Sequence, residues 1–174
     1  MSYTTSKQPQ GKPRNLANFL REAMVGELVA INDYQMHLGY CPINDVKTTL
    51  EHIMEDEKRH YGMLLDLSRK CDQVQCKKAS EISDHISLKC KSLNEHNSKK
   101  KISQSSLLIK LREDIKGELE AIIAYEDIVY KIDNKEAIEI LTQIANDEKE
   151  HVEELTYILQ KLDSDCYGPL EKKC

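Results

Sequence analysis

The sequence contains itself twice. Residues 14–72 align with residues 105–163 at a constant offset of 91 and without a gap, and 19 of the 59 aligned positions are identical. The identities include Leu16/Leu107, Leu20/Leu111, Arg21/Arg112, Glu22/Glu113, Gly26/Gly117, Glu27/Glu118, Ala30/Ala121, Ile31/Ile122, Tyr34/Tyr125, Ile53/Ile144, Asp56/Asp147, Glu57/Glu148 and His60/His151. One structural unit is therefore used twice, and each copy can bury its apolar face against the other.

Each unit reads as a helical hairpin. In the first, Leu16, Leu20, Ala23, Glu27, Ala30, Tyr34 and Leu38 step by three and four, as do Val46, Leu50, Ile53, Glu57, His60, Leu64 and Leu67. That is the period of a helix with one inward stripe. Between the stripes lies Tyr40 to Asp45, where Cys41-Pro42 disfavours continued helix and Asn44 or Asp45 is placed to cap the next one. So short a connection makes the two helices antiparallel neighbours.

The second unit repeats this with Leu107, Leu111, Asp114, Glu118, Ala121, Tyr125 and Ile128, then Ala137, Leu141, Ile144, Glu148, His151, Leu155 and Ile158, with Asp133-Asn134 as turn and cap. Residues 73–104, rich in Lys, Ser and Asn, have weak helical spacing at Ile82, Ile86 and Leu93 and read as a crossover with one short helix. In the tail, 164–174, Gly168-Pro169 ends the fourth helix and leaves no room for a substantial fifth. The expectation is an all-α four-helix bundle, one domain over 1–174, with hairpins at about 14–72 and 105–163.

Composition agrees with that reading and narrows the function. A chain of 174 residues can bury one sizeable core, and a charged fraction of 32% without tryptophan is typical of long amphipathic helices. The net charge is -5 and the densest basic run is only Lys99 to Lys101, which argues against a nucleic-acid partner. No stretch approaches the roughly 20 apolar residues of a membrane span, and the polar segment Ser2 to Asn15 lacks a signal-peptide core, so a cytoplasmic protein is expected. The six cysteines, Cys41, Cys71, Cys76, Cys90, Cys166 and Cys174, are then expected to be mostly reduced. No C-x-x-C pair occurs, so neither a zinc knuckle nor a rubredoxin-type iron site has the spacing it needs.

Glutamate and histidine share the inward stripes with leucine and isoleucine, although a carboxylate is almost never buried unless something pairs with it. Glu57 and His60 are three residues apart, about 60° around a helix and about 4.5 Å along it, so the pair can ligate one ion. Glu148 and His151 repeat the arrangement. With the hairpins related by pseudo-twofold symmetry, Glu27, Glu57, Glu118 and Glu148 converge at one level, with His60 and His151 beside them. Two divalent ions would cancel the four negative charges; without metal several of the acids must protonate. Mixed carboxylate and imidazole ligation suits iron or manganese and also admits zinc. Solvated surface acids are the plainer explanation for any single Glu, and they account for Glu22, Glu51, Glu153 and Glu154. They do not account for six ligand-type residues on four stripes, duplicated at one offset.

This pattern, one Glu on a first helix and Glu-x-x-His on the next, given twice, resembles the ferritin-like di-iron carboxylate superfamily, and the resemblance covers about two thirds of the chain. It implies a ferritin-like bundle with metal ligands Glu27, Glu57, His60, Glu118, Glu148 and His151; spacing alone leaves open which carboxylates bridge. Asp56 and Asp147 are placed to fix the ring of a histidine from the opposite hairpin, or to serve as surface or capping residues. Tyr34 and Tyr125 are placed to donate to a ligand carboxylate or simply to pack. His37, His52, His85 and His96 have no counterpart at the repeat offset and read as surface or packing histidines.

Glu27-Leu-Val-Ala-Ile-Asn-Asp-Tyr34 and Asp56-Glu-Lys-Arg-His60 look most like the rubrerythrin-like and encapsulated-ferritin branches. By that resemblance the cofactor is two Fe ions, cycling between Fe2+ and Fe3+, with Mn as the other candidate. The reaction is oxidation of ferrous iron by O2 or H2O2. The sequence departs from rubrerythrin in lacking the cysteine-bearing rubredoxin domain and in having Ala121 where that family places a further glutamate. Both departures favour a symmetric, ferroxidase-type centre over a peroxidase with a built-in electron donor, and leave room for an external electron donor and a homo-oligomer. Iron storage without turnover, a hydroxylase, a manganese catalase and a metal-free helical interaction module are the competing readings.

Overall fold

The computed structural model describes residues 15–82, 102–164 and 167. Among them are helices α1 (Leu16–Tyr40), α2 (Asn44–Cys71), α3 (Gln73–Ile82), α4 (Gln104–Lys131) and α5 (Lys135–Leu162), and no strand. The molecule is a ferritin-like helical bundle. α1 ends and α2 begins 91 residues before α4 ends and α5 begins, so the repeat holds to the residue at both turns. α1 starts at Asn15, whose side chain accepts from the Asn18 amide, and α4 and α5 are capped in the same way by Ser103 and Asn134. α2 departs from expectation: its cap is Ile43, which has no polar side chain, and Asn44 is already helical. Asp45 instead lies in the first turn, where a negative charge favours the helix N-terminus.

Packing is much denser within each hairpin than between them; α1 meets α4 and α2 meets α5 across the seam. Buried apolar residues form two clusters, each drawn from all four long helices. One holds Leu20, Leu64, Tyr125 and Leu141; the other holds Leu111, Leu155, Tyr34 and Leu50, their repeat counterparts. Because the start of α1 clusters with the end of α4, and the end of α2 with the start of α5, neighbouring helices run antiparallel throughout. All seven expected inward positions of α2 are buried, whereas on α5 Leu159 takes the place foreseen for Ile158. On α1, Met24 and His37 are buried while Ala23 and Leu38 are only partly so.

α3 supplies the short crossover helix, with Ile82 as its last residue; Ile86 and Leu93 lie outside the described residues. Asp72 joins it to α2, accepting from the amides of Val74 and Gln75 at 3.0 and 3.1 Å. The same carboxylate binds Arg21 at the start of α1, and Arg112 of α4 binds Asp163 at the corresponding place. Each hairpin is thus clasped at its open end by a repeated Arg–Asp pair. Cys41, Cys71 and Cys76 are free thiols, and no described helix is long and apolar enough to cross a membrane.

Ile144→Ala, which empties a fully buried site in the tightly packed core, is expected to cost about 2–5 kcal/mol in denaturant unfolding. Arg112→Ala, at a partly exposed ion pair, should cost about 1 kcal/mol or less in the same measurement.

Candidate metal centre

Between the two apolar clusters lies a polar layer. Glu27 of α1, Glu57 and His60 of α2, Glu118 of α4, and Glu148 and His151 of α5 are all buried, none more than 4% exposed. Their ligand atoms form two overlapping groups, each within a 4.8 Å span: Glu27, Glu57, His60 and Glu148, and then Glu57, Glu118, Glu148 and His151. Glu57 and Glu148 belong to both groups. The Glu-x-x-His glutamates thus sit in the middle of the layer, and Glu27 and Glu118 stand at its two ends.

Both histidines turn Nδ1 inward. His60 Nδ1 lies 3.2 Å from Glu148, 3.8 Å from Glu57 and 3.9 Å from Glu27. His151 Nδ1 lies 2.9 Å from Glu148, 3.5 Å from Glu57 and 3.7 Å from Glu118. Their Nε2 atoms face the opposite hairpin's aspartate, His60 to Asp147 at 3.2 Å and His151 to Asp56 at 3.5 Å. A carboxylate that accepts Nε2–H leaves the Nδ1 lone pair pointing into the layer. Arg59 spans the two aspartates, 2.8 Å from Asp56 and 3.2 Å from Asp147. Its repeat counterpart is Glu150, so one arginine serves both halves.

The tyrosines also cross over: Tyr34 donates to Glu118 and Tyr125 donates to Glu27. Of the histidines without repeat counterparts, His52 is half exposed, 3.8 Å from Asp56, and His85 and His96 lie outside the described residues. His37 is neither a surface residue nor plain packing: it is buried in a polar pair with Asp114, Nδ1 to Oδ1 2.8 Å. Its signal in the sequence was a place one turn beyond Tyr34 on the same stripe, opposite an aspartate that also lay on an inward stripe.

The groups settle their own charge by taking up protons. Burial, reinforced by its hydrogen bond to Glu57 and by the charges of Glu57, Glu148 and Glu118, pushes Glu27 up to about 12. Burial likewise raises Glu118 to about 8 against the pull of His151. Burial would raise Glu57 and Glu148 too, but hydrogen bonds from His151 and His60 outweigh it and hold both below the ordinary carboxyl value. Burial works against the imidazolium form, yet the surrounding carboxylates lift His60 to about 10 and His151 to about 12. In the metal-free layer burial thus favours protons on Glu27 and Glu118, while the carboxylates of Glu57 and Glu148 and the two imidazoles favour one another's charged forms.

Three buried atoms in it, His60 Nδ1, Glu57 Oε1 and Glu148 Oε1, have charged neighbours at 3.2–3.5 Å but no well-aligned hydrogen bond. Buried polar atoms without such bonds in one place mark a site for something that accepts their lone pairs. A carboxylate and imidazole donor set of this composition fits divalent iron or manganese.

The family model described as Rubrerythrin matches residues 18–159. The chain belongs to the rubrerythrin family. Among curated proteins it is similar to the encapsulin nanocompartment cargo protein EncC of Myxococcus xanthus (strain DK1622), 33% identical over 66 residues, 38% of this chain and 51% of that protein. The match therefore spans about half the length of that relative. Two solved structures share the fold. One is a two-domain protein from Anabaena variabilis with DJ-1/ThiJ/PfpI-like and ferritin-like domains (TM-score 0.67, 14% identity, 91% of this chain and 43% of that one). The other is a hypothetical protein from Pyrococcus furiosus (TM-score 0.65, 16% identity, 85% and 90%). Ala121, the position at which this chain departs from the rubrerythrin pattern, lines a cleft of about 1150 Å³ along the α1–α4 seam, and Glu27, Glu57 and Glu118 line the same cleft.

The proton inventory fixes the sign of two pH effects. Glu27, Glu118, His60 and His151 have raised values in the fold, so the metal-free protein loses stability as pH rises above their ordinary values of 4.5 and 6.5 toward 8 and beyond. Glu57 and Glu148 have depressed values, and their contribution is lost as pH falls below 4.5. The melting temperature of metal-free protein should therefore be highest near pH 4.5, decline above it and fall more steeply above pH 6.5 toward pH 9. Loading two divalent ions at pH 7 should release about four protons, two from the acids and two from the imidazoles, so affinity should weaken steeply as pH drops. Calorimetry in buffers of different ionisation enthalpy measures the release directly.

Proposed function

We propose that the polar layer holds two iron ions and that the protein oxidises ferrous iron with O2 or peroxide, a ferroxidase or rubrerythrin-like oxidoreductase. The observation that carries this reading is the pair of overlapping ligand groups sharing Glu57 and Glu148. In this assignment Glu27 and His60 complete one position, Glu118 and His151 the other, and Glu57 and Glu148 serve both. An iron pair so bound would supply two one-electron donors side by side to a two-electron oxidant.

The chain's own contribution is to prepare the place. Asp147 and Asp56 set the imidazole tautomers, Tyr34 and Tyr125 fix the end carboxylates from the opposite hairpin, and the α1–α4 cleft leads from solvent to the layer. The donor set also accepts manganese, and storage without turnover uses the same ligands. These 174 residues contain no C-x-x-C pair for a rubredoxin-type site.

The similarity to an encapsulin cargo protein favours a second statement about place: this chain is a cargo enclosed by an encapsulin-type shell. Co-expression with such a shell protein and co-purification of closed particles tests it, and free protein beside empty shells would refute it.

Metal analysis together with ferrous oxidation under oxygen and peroxide tests the chemistry. About two irons per chain are expected. Glu57→Ala and Glu148→Ala, each removing a shared ligand, should lower oxidation by more than about tenfold and disturb both ions. Glu27→Ala and Glu118→Ala should each weaken one ion and leave the other. Equal effects from all four variants would contradict the division into shared and end ligands, and absence of metal under every loading condition would end the reading.

A further inference from the structure

Among the described residues, the two ends of the polar layer differ in one buried polar pair. Positions 37 and 114 carry His and Asp, while their repeat counterparts, 128 and 23, carry Ile and Ala. Ile128 is buried in the apolar cluster at its end, with Ala23 packed against that cluster. His37 and Asp114 are comparably deep, 3% and 6% exposed. A buried polar pair in place of an apolar one is costly unless its groups are used. Asp114 accepts from His37 Nδ1, which fixes the tautomer and leaves the lone pair on Nε2. That Nε2 is buried and has no hydrogen-bond partner.

His37 and Asp114 both line the α1–α4 cleft that also reaches Glu57, Glu118 and Tyr34. His37 stands one turn beyond Tyr34, about 4.5 Å along α1, and Tyr34 donates to Glu118. From α4 the imidazole faces Asp114 and Glu113, with Lys110 beside Asp114, and Asp33 of α1 acts on the same carboxylate. α2 and α5 present Val46, Leu50, Leu155 and Leu159 at this end. An orphaned nitrogen, a partner that orients it and a place on the cleft that also reaches the centre occur together, among the described residues, on the His37 side.

We propose that His37, held by the positioning residue Asp114, exchanges protons for the reaction on the Glu118 side of the centre, taking a proton at Nε2 from water in the cleft and delivering it to the reduced oxidant. The inference rests on the oxidoreductase reading. Two-electron reduction of O2 to hydrogen peroxide, or of peroxide to two waters, takes up two protons, and the electrons come from two ferrous ions, each oxidised by one. His37 supplies one of the protons and is reprotonated by solvent. Among the described residues the Ile128 side has no such group, so the two ends differ in proton supply although their ligands match.

The test is the symmetrising variant H37I/D114A, whose Ile–Ala pair the chain already packs in its other half, together with H37Q, which keeps a polar group at position 37 but cannot titrate. In metal-free wild type, ¹⁵N NMR should show His37 protonated at Nδ1. Both variants should bind about two irons and oxidise them about 10²-fold more slowly near neutrality, losing one ionisation from the pH–rate profile and changing the solvent isotope effect. An Nε2-protonated His37, or variants with wild-type rate and pH profile at full metal occupancy, would overturn the inference while leaving the ferroxidase reading intact. Wild type that binds iron without oxidising it would overturn both.

Discussion

Four carboxylates at one level of a helical core are the constraint on which the rest of the structure depends. Left ionised and unpaired they would repel one another in a medium that screens poorly, so the bundle must neutralise them. It does so with the two imidazoles and, in the metal-free protein, with protons on Glu27 and Glu118. The supporting hydrogen bonds of Tyr34, Tyr125, Asp56 and Asp147 all cross from one hairpin to the other. Apolar packing is densest within a hairpin, whereas the polar layer is where the halves are tied most specifically. An ion bound there, as proposed, would act on the same interface that assembles the bundle and so link metal affinity to folding stability.

Repetition explains how one sequence satisfies that constraint economically. Because every neighbouring pair of helices is antiparallel, a residue near the start of α1 lies level with one near the end of α4. Leu20 and Leu111 therefore cap opposite ends, and residues at the middle of a helix meet their counterparts. Glu57 and Glu148 are such residues, and so are His60 and His151, whose ring centroids are 6.0 Å apart. Arg21–Asp72 and Arg112–Asp163 do for the open end of each hairpin what the layer does for its middle.

The helices, the turns and the six converging residues were legible because each follows from spacing along one helix, repeated at one offset. Which glutamates are shared was not, since that depends on how far two helices lie apart across the seam, a distance no periodicity encodes. The Ile43 cap escaped because Asn44 and Asp45 both have cap chemistry and the chain enters the helix one residue sooner. His37 escaped for a different reason: the repeat that identified the other residues carries isoleucine at its counterpart, so the argument that found the ligands hid this residue. Cysteine spacing says nothing of which thiols are buried, and Cys41 proves to be the capping residue of α1 and part of the apolar cluster.

Duplication also poses a chemical problem that the ligands alone do not solve. The proposed centre, with one Glu and one His at each end and two glutamates shared, would offer two equivalent positions, whereas reducing an oxidant would deliver protons to particular atoms in a particular order. Any distinction between the ends must come from residues outside the ligand set. Among the groups around the layer, Tyr34 mirrors Tyr125 and Asp56 mirrors Asp147, and Arg59 bridges the two halves. The buried departure from symmetry that reaches the cleft is His37–Asp114 against Ile128–Ala23. A polar pair retained there, beside an apolar solution that the same chain demonstrates 91 residues away, makes sense only if the difference between the two ends is used.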